Sequence, residues 1–188
     1  MIGDTIWWIE VLKVWEASER TGREYKIFSA SELEAEPSLV YVLQSDAAGI
    51  DGIGYYHGCL EEEDPEYYSR PWADISEFKD SMHGELKALE HFVSTTDVSD
   101  KLLIWVSDAL SAVWSINKGR CRDPYSLEVV ASILTACDEK GLQLIALWVP
   151  RESNVLADYL SHLATHMNRS EVRGRLSGLG EGAQSSQR

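Results

Sequence analysis

The chain has 188 residues, 44% of them hydrophobic, and a formal net charge of −14 at pH 7. This length and composition suit one globular domain with a sizeable core. The surplus of 31 acidic over 17 basic residues has the wrong sign for holding nucleic acid through bulk charge, so we expect weak intrinsic affinity for polyanions. No stretch approaches the roughly 18 consecutive apolar residues of a membrane span.

Residues 1–30 are predicted to hold a short helix followed by a short strand. Trp8, Leu12 and Trp15 recur at helical spacing, and residues 25–28 suit a strand. The tryptophans of such a helix need a surface to cover. That surface is either the domain's own sheet or a domain that precedes this one in a longer protein.

Two strongly apolar runs lead to the same tripeptide, Ser-Asp-Ala. Residues 39–43 precede the tripeptide centred on Asp46, and residues 102–106 precede the one centred on Asp108. Runs this apolar and β-branched are typical of central strands covered on both faces. Chemistry in open α/β sheets gathers just beyond the carboxyl ends of such strands, so Asp46 and Asp108 are candidate site residues.

Two further strands are expected between these runs. Residues 52–60 are predicted to pair with the first strand through a turn at 49–52, and residues 67–73 to form a third strand. The acidic run at 61–64 is predicted to be a solvated loop.

A helical stripe of apolar residues follows, and its members are Met82, Leu86, Leu89 and Val93. Glu85 lies on the shoulder of this stripe, between Met82 and Leu89. Its carboxylate is therefore expected to point inward toward the sheet, which makes Glu85 a third candidate acid.

The second half of the chain is predicted to contain helices at 109–117 and 124–140 and a last strand at 142–149. From about residue 168 the chain is rich in Gly, Ser and Gln, and residues 168–188 are predicted to be disordered. Four basic residues in this half are candidates for contacts with phosphates: Lys118, Arg120, Arg122 and Arg151.

The last motif of the domain runs from Trp148 to His162. A strand that reads as buried ends at Pro150, a short polar turn follows, and a helix opens with Asp158 in it. Asp158 faces away from the apolar stripe of this helix, so it can serve a site at the edge of the sheet. The stripe consists of Leu156, Leu160 and Leu163.

This motif closely resembles the end of the ribonuclease H domain of retroelement reverse transcriptases, where a strand leads into a Val-Pro-like turn, then Asn-Val-x-Ala-Asp and Leu-Ser. The four acids Asp46, Glu85, Asp108 and Asp158 also follow one another in the ribonuclease H order. The resemblance implies a ribonuclease H-like α/β fold, with a mixed five-stranded sheet and helices on both of its faces.

The same resemblance divides the chain into three parts. Residues 38–166 would form the ribonuclease H-like domain and residues 168–188 the tail. Residues 1–30 resemble the polymerase-to-nuclease connection of DIRS-like and related retroelements. An upstream polymerase domain is then a possible partner, and the chain is part of a reverse transcriptase or derived from one.

Crowded carboxylates repel one another unless cations lie between them, and the hard ions Mg²⁺ and Mn²⁺ prefer carboxylate and water oxygens. Two such ions about 3.5–4 Å apart can promote hydrolysis of a phosphodiester. The resemblance implies that Asp46 bridges both ions, that Glu85 and Asp108 flank one, and that Asp158 completes the other. The implied function is an endonuclease that hydrolyses the RNA strand of an RNA–DNA hybrid.

Other interpretations stay open at this point. A catalytically silent ribonuclease H-like module is favoured by the acidity of the chain and by Ala109, where many active relatives carry Asn or Ser. A 3′–5′ exonuclease on the same fold usually carries Asp-x-Glu in its first strand, whereas this chain has Asp-Ala-Ala from Asp46. The turn before Asp158 lacks the histidine of cellular enzymes, for which His162 is a candidate substitute. Taken one at a time, Asp46 and Asp108 are also explained as caps of strand-to-turn transitions. Glu85 and Asp158 are in the same way explained as solvated helix residues.

The cellular location follows from what the sequence does not contain. No secretory signal opens the chain, and the cysteines are an odd number without the spacing of metal ligands. We therefore expect an intracellular protein, in the cytoplasm or nucleus, with reduced thiols and no membrane partner.

Overall fold

A computed structural model describes residues 28–60, 65–75 and 78–163 of the chain. Within these residues the helices and strands are α1 Ala30–Ala35, β1 Val40–Ala48, β2 Gly52–Cys59, β3 Glu66–Pro71, α2 Ser81–Thr95, β4 Leu102–Ser107, α3 Leu110–Lys118, α4 Pro124–Glu139, β5 Gln143–Trp148 and α5 Val155–Leu163. Short 3-10 turns add Pro37–Leu39, Trp72–Asp74 and Arg151–Ser153. The helix expected within residues 1–30, residues 25–27 of the strand expected after it, the loop at 61–64 and the tail at 168–188 lie outside the described residues.

The five strands form one mixed sheet in the order β3-β2-β1-β4-β5. β2 is antiparallel to both β1 and β3, whereas β4 runs parallel to both β1 and β5. Helices α2, α3 and α4 pack on one face of the sheet, and α1 and α5 on the other. The predicted class, an α/β fold with a mixed five-stranded sheet and helices on both faces, is confirmed.

The larger core lies between the sheet and helices α2, α3 and α4. Four of its side chains are fully buried and come from β1, α2, β4 and α4 in turn: Leu43, Leu86, Trp105 and Ile133. All six residues of β4 are buried, because helices cover this strand on both sides of the sheet. That double cover explains why the sequence of β4 reads as one continuous apolar run.

The third strand is shorter than expected. It ends at Pro71 rather than at residue 73, because Trp72 begins a 3-10 turn. The indole Nε1 of Trp72 donates a hydrogen bond to the Ala48 carbonyl at 2.7 Å, which fixes this turn against the end of β1.

The buried face of α5 also differs from the expected stripe. Leu160 and Leu163 are buried as predicted, but Leu156 is only half-buried, so the prediction was wrong at that position. Ala157 and Ser161 are buried instead. The helix is therefore turned so that a serine, rather than a leucine, faces the sheet beside β1.

The register of the two central strands explains the repeated tripeptide. In the parallel pairing of β1 with β4, Gln44 lies opposite Val106. Two residues further along each strand, the same register brings Asp46 level with Asp108. The two Ser-Asp-Ala sequences therefore meet side by side where these strands end.

Candidate metal centre

Asp46 and Asp108 lie at the carboxyl ends of the two central strands. Asp46 is buried near the end of β1, and Asp108 is half-buried directly after β4. The indole Nε1 of Trp148 donates a hydrogen bond to the Asp108 carbonyl at 2.9 Å. The backbone that carries Asp108 is thereby fixed to the end of β5.

Glu85 reaches the same place from the opposite face of the sheet. Helix α2 begins after Asp80, whose side chain caps it by accepting a hydrogen bond from the His83 N–H at 2.8 Å. One turn later, Glu85 is buried at 2% exposure. Its Oε1 accepts from the Ala47 N–H at 3.0 Å, and its Oε2 accepts from the Ser107 hydroxyl at 3.1 Å. The inward orientation expected for Glu85 is the one observed.

The structure brings these three carboxylates together. One oxygen from each of Asp46, Glu85 and Asp108 lies within 4.8 Å of the others, a separation at which a single ion can contact all three. Across residues 28–60, 65–75 and 78–163, no other group of three or more His, Cys, Asp or Glu side chains meets this criterion. A donor set made only of carboxylate oxygens fits hard cations such as Mg²⁺ or Mn²⁺.

The electrostatics of Glu85 reflect its burial among other acids. Loss of hydration raises the pKa of Glu85 well above the ordinary value of 4.5. The negative charges of Asp46 and Asp108 raise it further, whereas the hydrogen bonds from Ser107 and Ala47 lower it. Without a cation, the cluster therefore favours a protonated Glu85.

The two aspartates are shifted in the same direction. Burial raises the pKa of Asp46, and the hydrogen bond from Ser161 opposes that rise. Burial also raises the pKa of Asp108, and the guanidinium of Arg151 opposes that rise. The charge of Asp158 raises the pKa of both aspartates, so Asp158 lies close enough to act on each of them.

Asp158 lies at the rim of the cluster and is paired with a cation of the protein itself. Its Oδ1 accepts a hydrogen bond from Nη2 of Arg151 at 2.8 Å. The Arg151 side chain is 74% exposed and that of Asp158 is 30% exposed. The pair raises the pKa of Arg151 above its ordinary value. Of the four predicted acids, three form the compact group, and the fourth is paired with Arg151.

The turn before α5 is fastened to β1 by Asn154, a residue of the Trp148–His162 motif that was not among the predicted site residues. Asn154 is fully buried, its Nδ2 donates to the Ser45 carbonyl at 3.0 Å, and its Oδ1 accepts from Gln44 Nε2 at 2.7 Å. Ser161 was missed as well, although it lies in the same motif. Its signal in the sequence is the Leu-Ser of the final motif, three residues after Asp158, which places the two side chains about one turn apart.

The predicted basic residues are divided between two places. Arg151 lies beside the acids, whereas Lys118, Arg120 and Arg122 are exposed at the far end of α3 and in the loop that follows. The rise from the start of α3 to Lys118 is about 12 Å. The Lys118 ammonium lies over the Trp114 ring, 3.8 Å from its centroid. The basic cluster is therefore separate from the acids, at the opposite end of α3.

His162 does not take part in the group of acids. Its Nδ1 lies 2.9 Å from Oδ2 of Asp51, in the turn between β1 and β2. The three cysteines form no disulfide with one another. Within the described residues, no helix is both long and apolar enough to cross a bilayer.

The order of the strands and the helices on both faces of the sheet are those of the ribonuclease H fold. The structure is similar to the N-terminal ribonuclease H domain of Rv2228c from Mycobacterium tuberculosis, with TM-score 0.50 and 17% identity over 67% of this chain and 98% of that one. It is also similar to LC11-RNase H1 isolated from compost by a metagenomic approach, with TM-score 0.50 and 22% identity over 66% of this chain and 93% of that one.

A reverse transcriptase has the same fold in part of its chain. The prototype foamy virus protease-reverse transcriptase matches with TM-score 0.55 and 15% identity, over 78% of this chain but only 23% of that one. No protein-family model matches the sequence, and no curated protein matches it. At these identities the likeness establishes the fold alone.

Proposed function

We propose that the protein is a divalent-metal-dependent endonuclease that hydrolyses the RNA strand of RNA–DNA hybrids. The observation that supports this most directly is the group formed by Asp46, Glu85 and Asp108 at the ends of β1 and β4. The similar structures add support, because two of them are ribonuclease H enzymes by name. A foamy virus protease-reverse transcriptase structure with TM-score 0.50 was solved in complex with an RNA/DNA hybrid.

The chain's own residues would act as a rigid holder of two Mg²⁺ or Mn²⁺ ions. When bound, such a pair activates the attacking water and stabilises the leaving oxygen. Asp46 and Asp108 present carboxylates from two strand ends that cannot shift independently. Glu85 is held by hydrogen bonds to both of its oxygens, so its remaining lone pairs keep a fixed direction. Asp158 would complete the set of metal ligands when the Arg151 side chain no longer binds it.

Arg151 and the basic cluster Lys118, Arg120 and Arg122 are the residues that we assign to phosphate contacts. Because the chain carries −14 charge overall, these few cations have to hold the hybrid against a repulsive background. Recognition would then rest on the shape of the hybrid and its 2′-hydroxyls rather than on base sequence.

We further propose that the domain belongs to, or derives from, a reverse transcriptase of a DIRS-like or related retroelement. The final motif from Trp148 to His162 and the match to one part of the foamy virus chain support this context. An upstream polymerase domain would supply the affinity for the hybrid that this acidic domain lacks. The domain division at residues 1–30, 38–166 and 168–188 belongs to the same proposal.

The test is cleavage of a hybrid labelled on its RNA strand, in Mg²⁺ and in Mn²⁺, with labelled single-stranded DNA as the substrate that should stay intact. Asp46→Asn should abolish cleavage. Asp138→Asn removes the same charge from an exposed position on α4 and should leave the rate unchanged. Cleavage at full rate by the Asp46→Asn protein would contradict the proposal.

The second candidate is a catalytically silent module that binds nucleic acid or a protein partner. It is favoured by the pairing of Asp158 with Arg151 and by Ala109, which occupies the N-cap of α3 without a side-chain cap. A silent module would bind hybrid without cleaving it in either metal. Arg151→Gln separates the cases further. If the Arg151 guanidinium merely excludes a second ion from Asp158, its removal should strengthen the response of cleavage to metal. A silent module should still not cleave the hybrid.

A further inference from the structure

Ser161 of α5 contacts Asp46 of β1 directly. Ser161 is fully buried, and its Oγ lies 2.6 Å from Asp46 Oδ2. The same Oγ lies 2.8 Å from the Asp158 carbonyl, the acceptor that a helical serine ordinarily uses. A hydroxyl has one hydrogen, so it can satisfy only one of these acceptors fully at a time. A carboxylate is the stronger acceptor of the two.

We propose that Ser161 is a positioning residue that holds the Asp46 carboxylate in the orientation in which it binds a divalent cation. This inference rests on the proposed metal-dependent function. The hydroxyl fixes Oδ2 and thereby directs Oδ1 of Asp46. If a cation requires Oδ2 as well, the Ser161 hydrogen can turn to the Asp158 carbonyl. The serine therefore keeps a partner in both states.

The close approach of α5 to β2 explains how Ser161 reaches Asp46. Gly54 lies directly opposite Asp46 in the antiparallel pairing of β1 with β2. A Cβ built on Gly54 would lie 2.1 Å from the Ser161 backbone nitrogen and 2.3 Å from the Leu160 carbonyl carbon. Only glycine leaves room for the helix backbone there. The Ser69 hydroxyl also donates to the Leu160 carbonyl at 2.7 Å, which holds this turn of the helix against β3.

The test compares Ser161→Ala with Ser115→Ala. Ser115 is also a buried helical serine, but its Oγ donates only to the Ser111 carbonyl at 2.8 Å and touches no acid of the site. The difference between the variants isolates the bond to Asp46. The readout is the Mn²⁺ concentration that gives half of the maximal rise in melting temperature, measured from a chelator baseline.

Loss of a hydrogen bond that orients a metal ligand weakens metal affinity by about 10-fold or more. We therefore expect Ser161→Ala to raise the half-maximal Mn²⁺ concentration by about 10-fold, and Ser115→Ala to leave it unchanged. Ser161→Cys retains a weak donor of similar size and should fall between them, which guards against a poorly folded alanine variant. A merely structural serine would lower the melting temperature equally with and without Mn²⁺.

The outcomes separate this inference from the proposed function. If wild-type protein responds to Mn²⁺ and Ser161→Ala responds at the same or a lower concentration, Ser161 does not position Asp46 and the inference is overturned alone. If wild-type protein shows no response to Mn²⁺ or Mg²⁺ at all, the metal centre is overturned and the inference with it.

Discussion

The backbone N–H of Ala47 donates to Oε1 of Glu85 at 3.0 Å, one residue beyond Asp46 in the same strand. Helix α2 is thereby fastened to the end of β1 at the point where two acids come together. The bond holds Glu85 in place but does not neutralise it. The stability of the fold without metal should accordingly depend on whether Glu85 is ionised.

This dependence gives a pH prediction for Glu85→Gln in a chelator. The folded-state pKa of Glu85 is raised, so the folded protein holds this proton more tightly than the unfolded chain does. As pH rises above the ordinary value of 4.5, wild-type protein loses stability relative to Glu85→Gln, and the gap widens until pH exceeds the folded-state pKa. Thermal melts from pH 4 to 8 measure the gap. A gap that does not grow with pH would contradict the assigned burial of Glu85 among acids.

A second prediction concerns metal and the two strand-end aspartates. Because Asp46 and Asp108 repel each other when ionised, the double variant Asp46→Asn/Asp108→Asn should melt higher than wild type in a chelator. A ligand present at 100 times its dissociation constant stabilises a fold by about 2.7 kcal/mol, so millimolar Mn²⁺ should raise the wild-type melting temperature and raise that of the double variant much less. Equal responses would mean that the two carboxylates do not share an ion.

A third prediction tests the close contact between α5 and β2. Gly54→Ala should destabilise the fold by about 3 kcal/mol, because its methyl group meets helix backbone rather than a flexible side-chain end. Gly49→Ala is the matched control, since a Cβ there would first meet the rim of the Phe78 ring, at 3.3 Å, rather than helix backbone. Denaturant unfolding measures both. A negligible loss for Gly54→Ala would show that α5 lies further from β2 than described.

The fourth prediction concerns the basic cluster. Lys118→Glu/Arg120→Glu should weaken hybrid binding and slow cleavage, because each contact with a phosphate releases a counterion. The slope of log affinity against log salt should already be shallow in wild type, near that of two or three phosphate contacts, and shallower in the variant. The rise in melting temperature with Mn²⁺ should not change, since the cluster lies at the far end of α3. If these charge reversals left the slope unchanged, the hybrid would have to bind to another surface of the domain.

Much of the fold, and the meeting of three of the four acids, could be predicted because they depend on local pattern. The two Ser-Asp-Ala sequences lie at the ends of parallel neighbouring strands, so their position in the sequence already places Asp46 beside Asp108. Glu85 could be predicted for a similar reason, since the apolar stripe of α2 fixes which residues turn inward. Patterns of this kind predict structure well because a buried strand or a buried helix face permits few other arrangements of the same residues.

The supporting contacts could not be predicted, because they depend on how closely two elements approach each other. Gly54 reads as an ordinary strand glycine until α5 is seen to lie against it. The contact of Ser161 with Asp46 follows from that approach. The pairing of Arg151 with Asp158 depends on the geometry of the 3-10 turn Arg151–Ser153, which no hydrophobic periodicity encodes.

Because Asn154 is anchored to β1, the position of helix α5 does not depend on the length of the turn before it. Since Asn154 binds Gln44 and Ser45 directly, α5 begins at a point fixed by β1 and not by the end of β5. Residues inserted between Pro150 and Ser153 would extend into solvent, where the turn is already exposed, and would leave Asp158 where it is. This turn is therefore a suitable site for inserting a longer loop. A longer loop carrying a proton donor or a substrate-binding side chain could be installed beside the acids without rebuilding the domain.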